Sequence, residues 1–277
     1  MRNNYLNSLY NLKDKIIVVT GAAGQLGGQY VRALLGVGCR VAALDYDLGN
    51  PKGNLSALQS DDLMALEVDI TKKISIQEAI KKIRARFGKI DGLINNAAID
   101  APPGVSAENT GPFETYPEYA WDKMMEVNLK GMFLCCQVFG AEMAAQKSGN
   151  IVNIASIYGM LSPDQRIYEY KYKNAEAEAK PFFKPVTYSV TKSGVYNLTR
   201  WLATYWAPSN IRVNTLTLAG VFNNQDETFL KNYTQKVPLG RMAKQDEYCG
   251  AILFLLSDAS SYMTGSNMVV DGGFCCW

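Results

Sequence analysis

The run Ile16-Ile17-Val18-Val19-Thr20-Gly21-Ala22-Ala23-Gly24-Gln25-Leu26-Gly27 decides the fold. Its first five residues are β-branched and predict a short buried strand, and the residues from 25 to 35 predict a helix. Glycines at 21, 24 and 27 allow a tight turn and a close backbone approach, and they leave free N–H groups at the start of the helix. The stretch therefore predicts a strand–turn–helix unit that binds the pyrophosphate of a dinucleotide.

The rest of the 277-residue chain continues the alternation of strand and helix. Further strands are predicted over 40–44, 63–68, 90–95, 150–155, 211–216 and 267–270, and further helices over 74–87, 120–146, 186–207 and 246–256. Strands that alternate with helices form parallel sheets through right-handed crossovers. We therefore predict one α/β domain over 1–277, a doubly wound parallel sheet of about seven strands with helices on both faces.

Two long stretches, 100–117 and 162–185, do not fit this alternation. Each follows a predicted strand, the side on which open α/β sheets bind ligands, and long irregular segments often serve as lids or binding loops. The stretch 162–185 mixes tyrosines and phenylalanines with five basic and four acidic residues. This composition suits a sugar ring or sugar phosphate by stacking and charge pairing. A solvated loop or an oligomer contact explains it equally well.

Bulk composition excludes several functions. The net charge of +2 gives no electrostatic case for nucleic acid. Residues 1–15 lack the apolar core of a signal peptide, and the apolar run 251–256 is too short to cross a bilayer. The chain has six cysteines without zinc-site spacing and no histidine, so neither a metal site nor a histidine-dependent mechanism is predicted. We expect a soluble cytoplasmic protein.

Tyr188 and Lys192 lie four residues apart, a spacing that puts both on one face of a helix. A neighbouring ammonium favours the ionised phenol. Moving a tyrosine pKa from about 10 to near neutrality takes about 3–4 kcal/mol. Tyr119 and Lys123 repeat the spacing, so the pair alone is also typical of an ordinary helix surface. Ser156, at the end of a predicted strand upstream, distinguishes the first pair.

Asp45 ends the second predicted strand. A carboxylate at that point accepts hydrogen bonds from both ribose hydroxyls of adenosine and repels a 2′-phosphate. No Arg or Lys occupies the glycine turn or positions 41–51. The sequence therefore predicts NAD as the cofactor, with NADP disfavoured.

With these motifs in order, residues 15–273 resemble the short-chain dehydrogenase/reductase family in its single-domain, Rossmann-type branch. The resemblance rests on the glycine turn, Asp69 after the third strand, Asn95-Asn96-Ala97, Asn128 in Val-Asn-Leu-Lys-Gly, Ser156, the Tyr188/Lys192 pair and the ending Val270-Asp271-Gly272-Gly273. Ser156-Ile157-Tyr158-Gly159, the long insert and Gly220-Val221-Phe222-Asn223 also resemble bacterial sugar-modifying members linked to flagellin glycosylation and nonulosonic acid synthesis.

The resemblance implies a catalytic role for Tyr188 as the proton donor or acceptor. Lys192 is implied to hold the nicotinamide ribose and lower the Tyr188 pKa, Ser156 to hydrogen-bond the reacting oxygen, and Asn128 to hold a water in a relay to Lys192. The residues implied to bind the cofactor are Gly21, Gly24, Gln25, Leu26, Gly27, Asp45, Asp69, Ile70, Asn96, Ala97, Ala98 and Val221, together with Tyr188 and Lys192.

The chain departs from the family pattern in several places. Gln25 stands where glycine is usual, Gly24 comes one residue early, and Ala98 replaces a usual glycine. Leu218-Ala219 replaces a usual Pro-Gly, which would pre-set φ and permit a positive φ, so we expect a softer loop or weaker nicotinamide binding. Ser156 and Tyr188 are separated by 31 residues, far more than is usual. These extra residues are expected to loop out beside the active site.

The function expected from the resemblance is the NAD-dependent interconversion of a secondary alcohol and a ketone on a sugar-like substrate. The alternatives are a reductase or dehydrogenase for another small molecule, and a dinucleotide-binding regulatory protein that has lost turnover. A homo-oligomer, tetramer or dimer, is expected through the helices 120–146 and 187–207.

Overall fold

A computed structural model describes residues 2–100, 111–173 and 182–277. Within them the strands are β1 Ile16–Thr20, β2 Arg40–Asp45, β3 Leu63–Glu67, β4 Gly92–Asn95, β5 Gly149–Ser156, β6 Ile211–Leu218 and β7 Asn267–Val270. The α-helices are α1 Arg2–Leu9, α2 Gln25–Gly36, α3 Lys73–Phe87, α4 Glu118–Met125, α5 Met132–Gln146, α6 Tyr170–Lys173, α7 Val186–Trp206, α8 Glu227–Thr234 and α9 Cys249–Leu256.

The seven strands form one parallel sheet in the order β3-β2-β1-β4-β5-β6-β7. Strand β1 lies in the interior of the sheet, and Ile17 pairs with Val41 on one side and with Gly92 on the other. The direction of strand addition reverses between β1 and β4, which makes this a switch point where the carboxyl ends of the strands open a crevice. The predicted fold class is confirmed.

The core lies in two layers, one on each face of the sheet. Strand β1 shows how the sequence builds both. Ile16 and Val18 pack into the layer that contains Phe139, whereas Ile17 and Val19 pack into the layer that contains Tyr30. Side chains alternate between faces along a strand, so a strand covered on both faces has to be apolar throughout.

The helix predicted over 120–146 is interrupted at Asn128, one of the predicted site residues. Helix α4 ends at Met125, a π-helical segment runs over Glu126–Gly131, and α5 continues from Met132. Segments of π-helix are rare and often occur at functional sites. Asn128 lies inside this one and is fully buried.

Three helices, α1, α6 and α8, were not predicted from the sequence, and α6 is a single turn within the insert. Helix α1 is short and largely polar. Helix α8 follows Asp226, whose carboxylate accepts from the backbone N–H of Phe229 at 2.8 Å. That capping signal is visible in the sequence, because Asp is a preferred N-cap residue. Among the described residues, every helix is too short or too polar to cross a bilayer.

Candidate active site

A cleft of about 1180 Å³ opens along the carboxyl ends of the strands. One half is bounded by the glycine turn and the ends of β2, β3 and β4, and the other by the ends of β5 and β6, the insert and α8. The predicted site residues that line it are Gly21, Gly24, Gln25, Leu26, Asp45, Asp69, Ile70, Asn96, Ala97, Ala98, Ser156, Tyr188, Lys192 and Val221. Gly27 and Asn128 lie behind its wall.

Gly21 and Gly27 form the tightest part of the β1–α2 turn. Gly21 has a φ of +63°, and a Cβ there would lie 2.7 Å from the Cα of Ala97. A Cβ on Gly27 would lie 2.0 Å from the carbonyl oxygen of Gly21. Any larger residue would force the turn open, so these glycines keep a backbone surface exposed along the cleft.

Asn96 ties the end of β4 to the glycine turn. Its side-chain amide donates to the carbonyls of Thr20 (3.1 Å) and Gly21 (3.0 Å). The backbone N–H groups of Asn96 and Ala97 both donate to the Thr20 hydroxyl at 3.1 Å. The side chain of Asn96 therefore stabilises the glycine turn, and Ala97 and Ala98 line the cleft beside it.

Asp45 sits at the edge of the cleft beside the glycine turn. One carboxylate oxygen accepts from the backbone N–H of Ala23 at 2.8 Å, and the other from that of Asp47 at 3.1 Å. These bonds fix the carboxylate in place. Each carboxylate oxygen has two acceptor sites, so the geometry suits the two ribose hydroxyls of adenosine.

Asp69 and Ile70 follow β3 on the same side of the cleft. Burial opposes ionisation of Asp69, but hydrogen bonds from Thr71 and Lys72 outweigh it and lower the pKa of the carboxyl. The Ile70 side chain fills the space beside Gly131, where an added Cβ would come within 2.7 Å of it. The two residues thereby pack the cleft wall against the π-helical segment.

Tyr188 and Lys192 lie near the start of α7. The Lys192 side chain is buried, and its ammonium donates to the carbonyl of Ile154 at 3.0 Å. Burial lowers the pKa of Lys192 to about 8, against an opposing influence from Asp100. The ammonium lies 5.8 Å from the centre of the Tyr188 ring.

The direction of the Tyr188 pKa shift differs from the sequence-based expectation. Burial raises the pKa of the phenol, the charge of Asp100 raises it further, and hydrogen bonding with Ser156 lowers it only in part. Among the protein's own groups, desolvation of the phenolate therefore outweighs the effect of Lys192, whose ammonium is directed at the Ile154 carbonyl.

Ser156 is the last residue of β5 and is buried. Its hydroxyl accepts from the backbone N–H of Tyr158 at 3.2 Å, which caps the short turn that follows. Its own carbonyl accepts from the Tyr196 hydroxyl at 2.9 Å. The strand end and α7 are thus joined, and the Ser156 and Tyr188 side chains are held together at the cleft wall.

Asn128 uses its side chain within the protein. Its amide oxygen accepts from the N–H of Ile99 at 2.7 Å, and its NH₂ donates to the Ile99 carbonyl at 2.9 Å and to the Thr191 hydroxyl at 3.4 Å. Asn128 therefore fixes the segment after β4 and the residue adjacent to Lys192. All of its side-chain hydrogen bonds in the described part of the chain go to other protein groups.

The departures from the usual pattern are compensated by other residues. The N–H of Gly220 donates to the Tyr233 hydroxyl at 2.7 Å, and the Tyr248 hydroxyl donates to the Ala219 carbonyl at 3.3 Å. Residues 218–220 have no positive φ. These hydrogen bonds brace the loop, and the expected softer loop or weaker nicotinamide binding stays a prediction. The amide of Gln25 donates to the Phe222 carbonyl at 2.8 Å and links the glycine turn to this loop across the cleft.

The described part of the insert packs into the site, and several of its residues were not predicted individually. Tyr168 is buried, with ring centres 5.1 Å from Phe182 and 5.9 Å from Phe229. The ammonium of Lys184 lies 4.7 Å above the centre of the Tyr188 ring. The aromatic and basic composition of 162–185 was the only sequence signal for this wall. Positions 174–181, with their charged residues, lie outside the described residues.

Comparisons with known proteins agree with this geometry. A family model described as Enoyl-(Acyl carrier protein) reductase matches residues 21–275. The chain is 33% identical over 270 residues to NAD-dependent glycerol dehydrogenase from Listeria innocua, covering 96% of this chain and 95% of that protein. It is 32% identical over 266 residues to post-translational flagellin modification protein A from Campylobacter coli, covering 95% and 99%.

A solved structure shares the architecture. The crystal structure of a short-chain dehydrogenase from Leptospira borgpetersenii with bound NAD⁺ superposes with a TM-score of 0.82 at 33% identity, covering 95% of this chain and 94% of that one.

Proposed function

The chain belongs to the short-chain dehydrogenase/reductase family, and from this premise we propose that it interconverts a secondary alcohol and a ketone of a sugar- or polyol-like substrate with NAD. The observation that carries the proposal is the convergence in one cleft of a glycine turn, a fixed Asp45 carboxylate and the group of Ser156, Tyr188 and Lys192, of which Ser156 and Lys192 are buried. The similarity to a relative named NAD-dependent glycerol dehydrogenase supports a polyol as the substrate.

The residues at the β1 end of the cleft fit NAD. Side chains would clash at Gly21, so the backbone stays open for a pyrophosphate at the start of α2. We assign Gly24, Gln25 and Leu26 to the same contact, with Gly27 supporting the turn. Asp45 would accept hydrogen bonds from the adenosine ribose, and its charge disfavours the 2′-phosphate of NADP.

The remaining cofactor contacts follow the cleft. Asp69 and Ile70 would border the adenine, Asn96, Ala97 and Ala98 the adenosine ribose, and Val221 the nicotinamide carboxamide. Lys192 would hydrogen-bond the nicotinamide ribose. When bound, NAD supplies the hydride acceptor or donor, and the reacting alcohol loses a hydride from carbon and a proton from oxygen.

Tyr188 handles the proton. Its raised pKa keeps the phenol protonated near neutral pH, the form that donates to the oxygen of a ketone. In the oxidative direction it has to accept a proton, and a positive charge beside the ring favours that state. Ser156, which hydrogen-bonds with Tyr188, would hold the reacting oxygen.

Asn128 acts at one remove. Its side-chain amide already makes hydrogen bonds to Ile99 and Thr191. We therefore assign it a positioning role, and not the role of holding a relay water. Its loss would loosen the segment around Ile99 and the turn of α7 that carries Lys192.

We also propose a homo-oligomer. On α7, Trp201 and Tyr205 are 58% and 62% exposed and stack with ring centres 4.9 Å apart. Exposed aromatic residues of this kind are enriched in interfaces between proteins.

The test is a screen for NADH formation against glycerol, tetritols, pentitols and aldoses, run beside NADH binding by fluorescence. We expect turnover with at least one polyol and a preference for NAD over NADP of about 100-fold, the effect of a carboxylate facing the 2′ position. Tight NADH binding with no turnover of any polyol, sugar or simple ketone would contradict the proposal and favour a regulatory dinucleotide-binding protein.

A further inference from the structure

An ion pair with a buried lysine and a partly exposed carboxylate lies against the ring of Tyr188. The Lys184 ammonium contacts both carboxylate oxygens of Asp100 at 2.5 and 2.6 Å, and its side chain is only 9% exposed. It also lies 5.9 Å from the ring centre of Tyr158. All four residues line the cleft. A lysine this deeply buried has to be paired, and here the pairing takes place inside the site.

Lys184 is held in position by its backbone. Its N–H donates to the side-chain oxygen of Gln165 at 2.9 Å, and its carbonyl accepts from the Gln165 amide at 3.4 Å. Pro185, which follows, restricts Lys184 to extended backbone and caps α7. The two ends of the insert are therefore joined beside the site, which makes Lys184 a fixed part of the wall.

The hydroxyl of Tyr158 lies in the same wall and is buried without a hydrogen-bond partner of good geometry. Burial raises the pKa of Tyr158, and the neighbouring Tyr168 raises it further by a smaller amount. A buried hydroxyl without a partner costs about 1–3 kcal/mol. A partner supplied by a ligand would remove that cost.

We propose that Lys184, Asp100 and Tyr158 form a subsite for a hydroxyl next to the reacting carbon, so that the substrate is a neutral vicinal diol or polyol. The proposal deepens the proposed function and rests on it. A hydroxyl both donates and accepts, and it therefore matches a wall that presents an ammonium, a phenol O–H and a carboxylate. Because Lys184 and Asp100 are paired, these two side chains together add no net charge to the wall.

Both insert lysines on this side of the cleft already face a carboxylate, because Lys184 pairs with Asp100 and Lys171 lies near Asp226. Asp100 occupies the ammonium of Lys184. Asp226 also lines the cleft and accepts from the Tyr170 hydroxyl. A carboxylate or phosphate would have to displace Asp100 and approach Asp226, whereas a hydroxyl can bind beside the intact pair.

Three substrates of equal carbon number test the proposal, because they share a secondary alcohol at C2 and differ at C1. Propan-2-ol has a methyl group there, propane-1,2-diol a hydroxyl, and lactate a carboxylate. For the unmodified protein we expect kcat/KM to rank the diol first, at least about 100-fold above propan-2-ol, because a site built to bind a hydroxyl rejects the analogue that lacks it.

The decisive variant is Lys184→Met, with Lys184→Arg as the charge-conserving partner. Lys184→Met should lower kcat/KM for the diol about 100-fold more than for propan-2-ol, whose own loss reports the change of charge beside Tyr188, and this difference collapses the ratio between them. Lys184→Arg should restore part of that ratio, and Tyr158→Phe should lower it by about 10-fold. Lys231→Met, an exposed lysine on α8, serves as the control.

Each outcome decides the matter. An unchanged diol-to-monoalcohol ratio in Lys184→Met would overturn the subsite, as would an equal loss for both substrates. If lactate is the preferred substrate and Lys184→Met loses that activity, the proposal of a neutral substrate is overturned and Lys184 belongs to an anion site. Failure of the unmodified protein to turn over any of the three or any polyol, with NADH bound, would refute the proposed function itself.

Discussion

Two tyrosine–lysine pairs of identical spacing border the same cleft, and the lysine is buried in only one of them. Tyr119 and Lys123 lie on α4, and Tyr188 and Lys192 lie on α7. Tyr119 is 60% exposed, whereas Lys192 is 3% exposed and has a pKa lowered by burial to about 8. The comparison shows that the spacing creates a pair, and that the packing of the helix determines its chemistry.

The difference follows from what lies against each helix. Helix α7 packs on the end of β5, and Gly159 allows the backbone to come close, since a Cβ there would lie 2.6 Å from the carbonyl of Lys192. The Ser193 hydroxyl donates to the Gly159 carbonyl at 2.8 Å and holds that contact. On α4, by contrast, Tyr119 and Lys123 project from the rim of the cleft.

The largest test of this comparison replaces each phenol by phenyl. Tyr188→Phe should lower kcat by about 10³-fold, because removal of a positioned proton donor costs between 10² and 10⁴ in rate. Tyr119→Phe, at the same spacing from a lysine, should stay within about 2-fold. NADH formation gives the rate, and NADH fluorescence shows that binding survives. Equal losses in both variants would remove the distinction between the pairs.

The second test removes each ammonium. Lys192→Met should lower turnover by about 100-fold, since it takes away the cation near the Tyr188 ring and the proposed ribose contact. Lys123→Met should leave turnover within about 2-fold, because its lysine is exposed to solvent. The pH dependence of kcat separates a catalytic from a structural loss. Because Tyr188 has to accept a proton when NADH is formed, only the loss of the Lys192 charge is expected to move the acidic limb of the profile to higher pH.

Sequence reasoning worked where the signal is local. The β-branched run before Gly21, the glycine turn and Asp45 lie within thirty residues of one another, and each can be interpreted from its neighbours. The strands were predicted for the same reason, because a parallel sheet covered on both faces requires short apolar runs. The structure places Tyr188 and Ser156 together at the strand ends, as their motifs suggested.

The sequence could not supply the features that depend on contacts between distant segments. Lys184 and Asp100 are 84 residues apart in sequence, and no local pattern joins them. The direction of the Tyr188 pKa shift depends on burial, and spacing carries no information about desolvation. The bracing of Ala219 by Tyr248 came from a residue 29 positions further along the chain.

The smallest expected effect is on the free energy of unfolding, whose dependence on pH should differ between variants at Lys192 and at Lys123. The pKa of Lys192 is about 8 in the folded protein, against an ordinary value of 10.5, so the unfolded chain binds more protons between these values. Stability therefore rises as the pH increases from 8 to 10.5, and below pH 8 the full cost of burying the charge, about 3 kcal/mol at most, is present.

Lys192→Met removes that cost. It also leaves the Ile154 carbonyl without its hydrogen-bond donor, which lowers the stability of the variant by about 1 kcal/mol. We expect the variant to be about 1–2 kcal/mol more stable than the unmodified protein at pH 7 and to lose this advantage by pH 10. Urea unfolding at pH 7, 8.5 and 10 measures the difference. Lys123→Met, which changes an exposed lysine at the same spacing, serves as the control. A constant gap for Lys192→Met would mean that its ammonium is not desolvated, and the contrast between the two pairs would then rest on position alone.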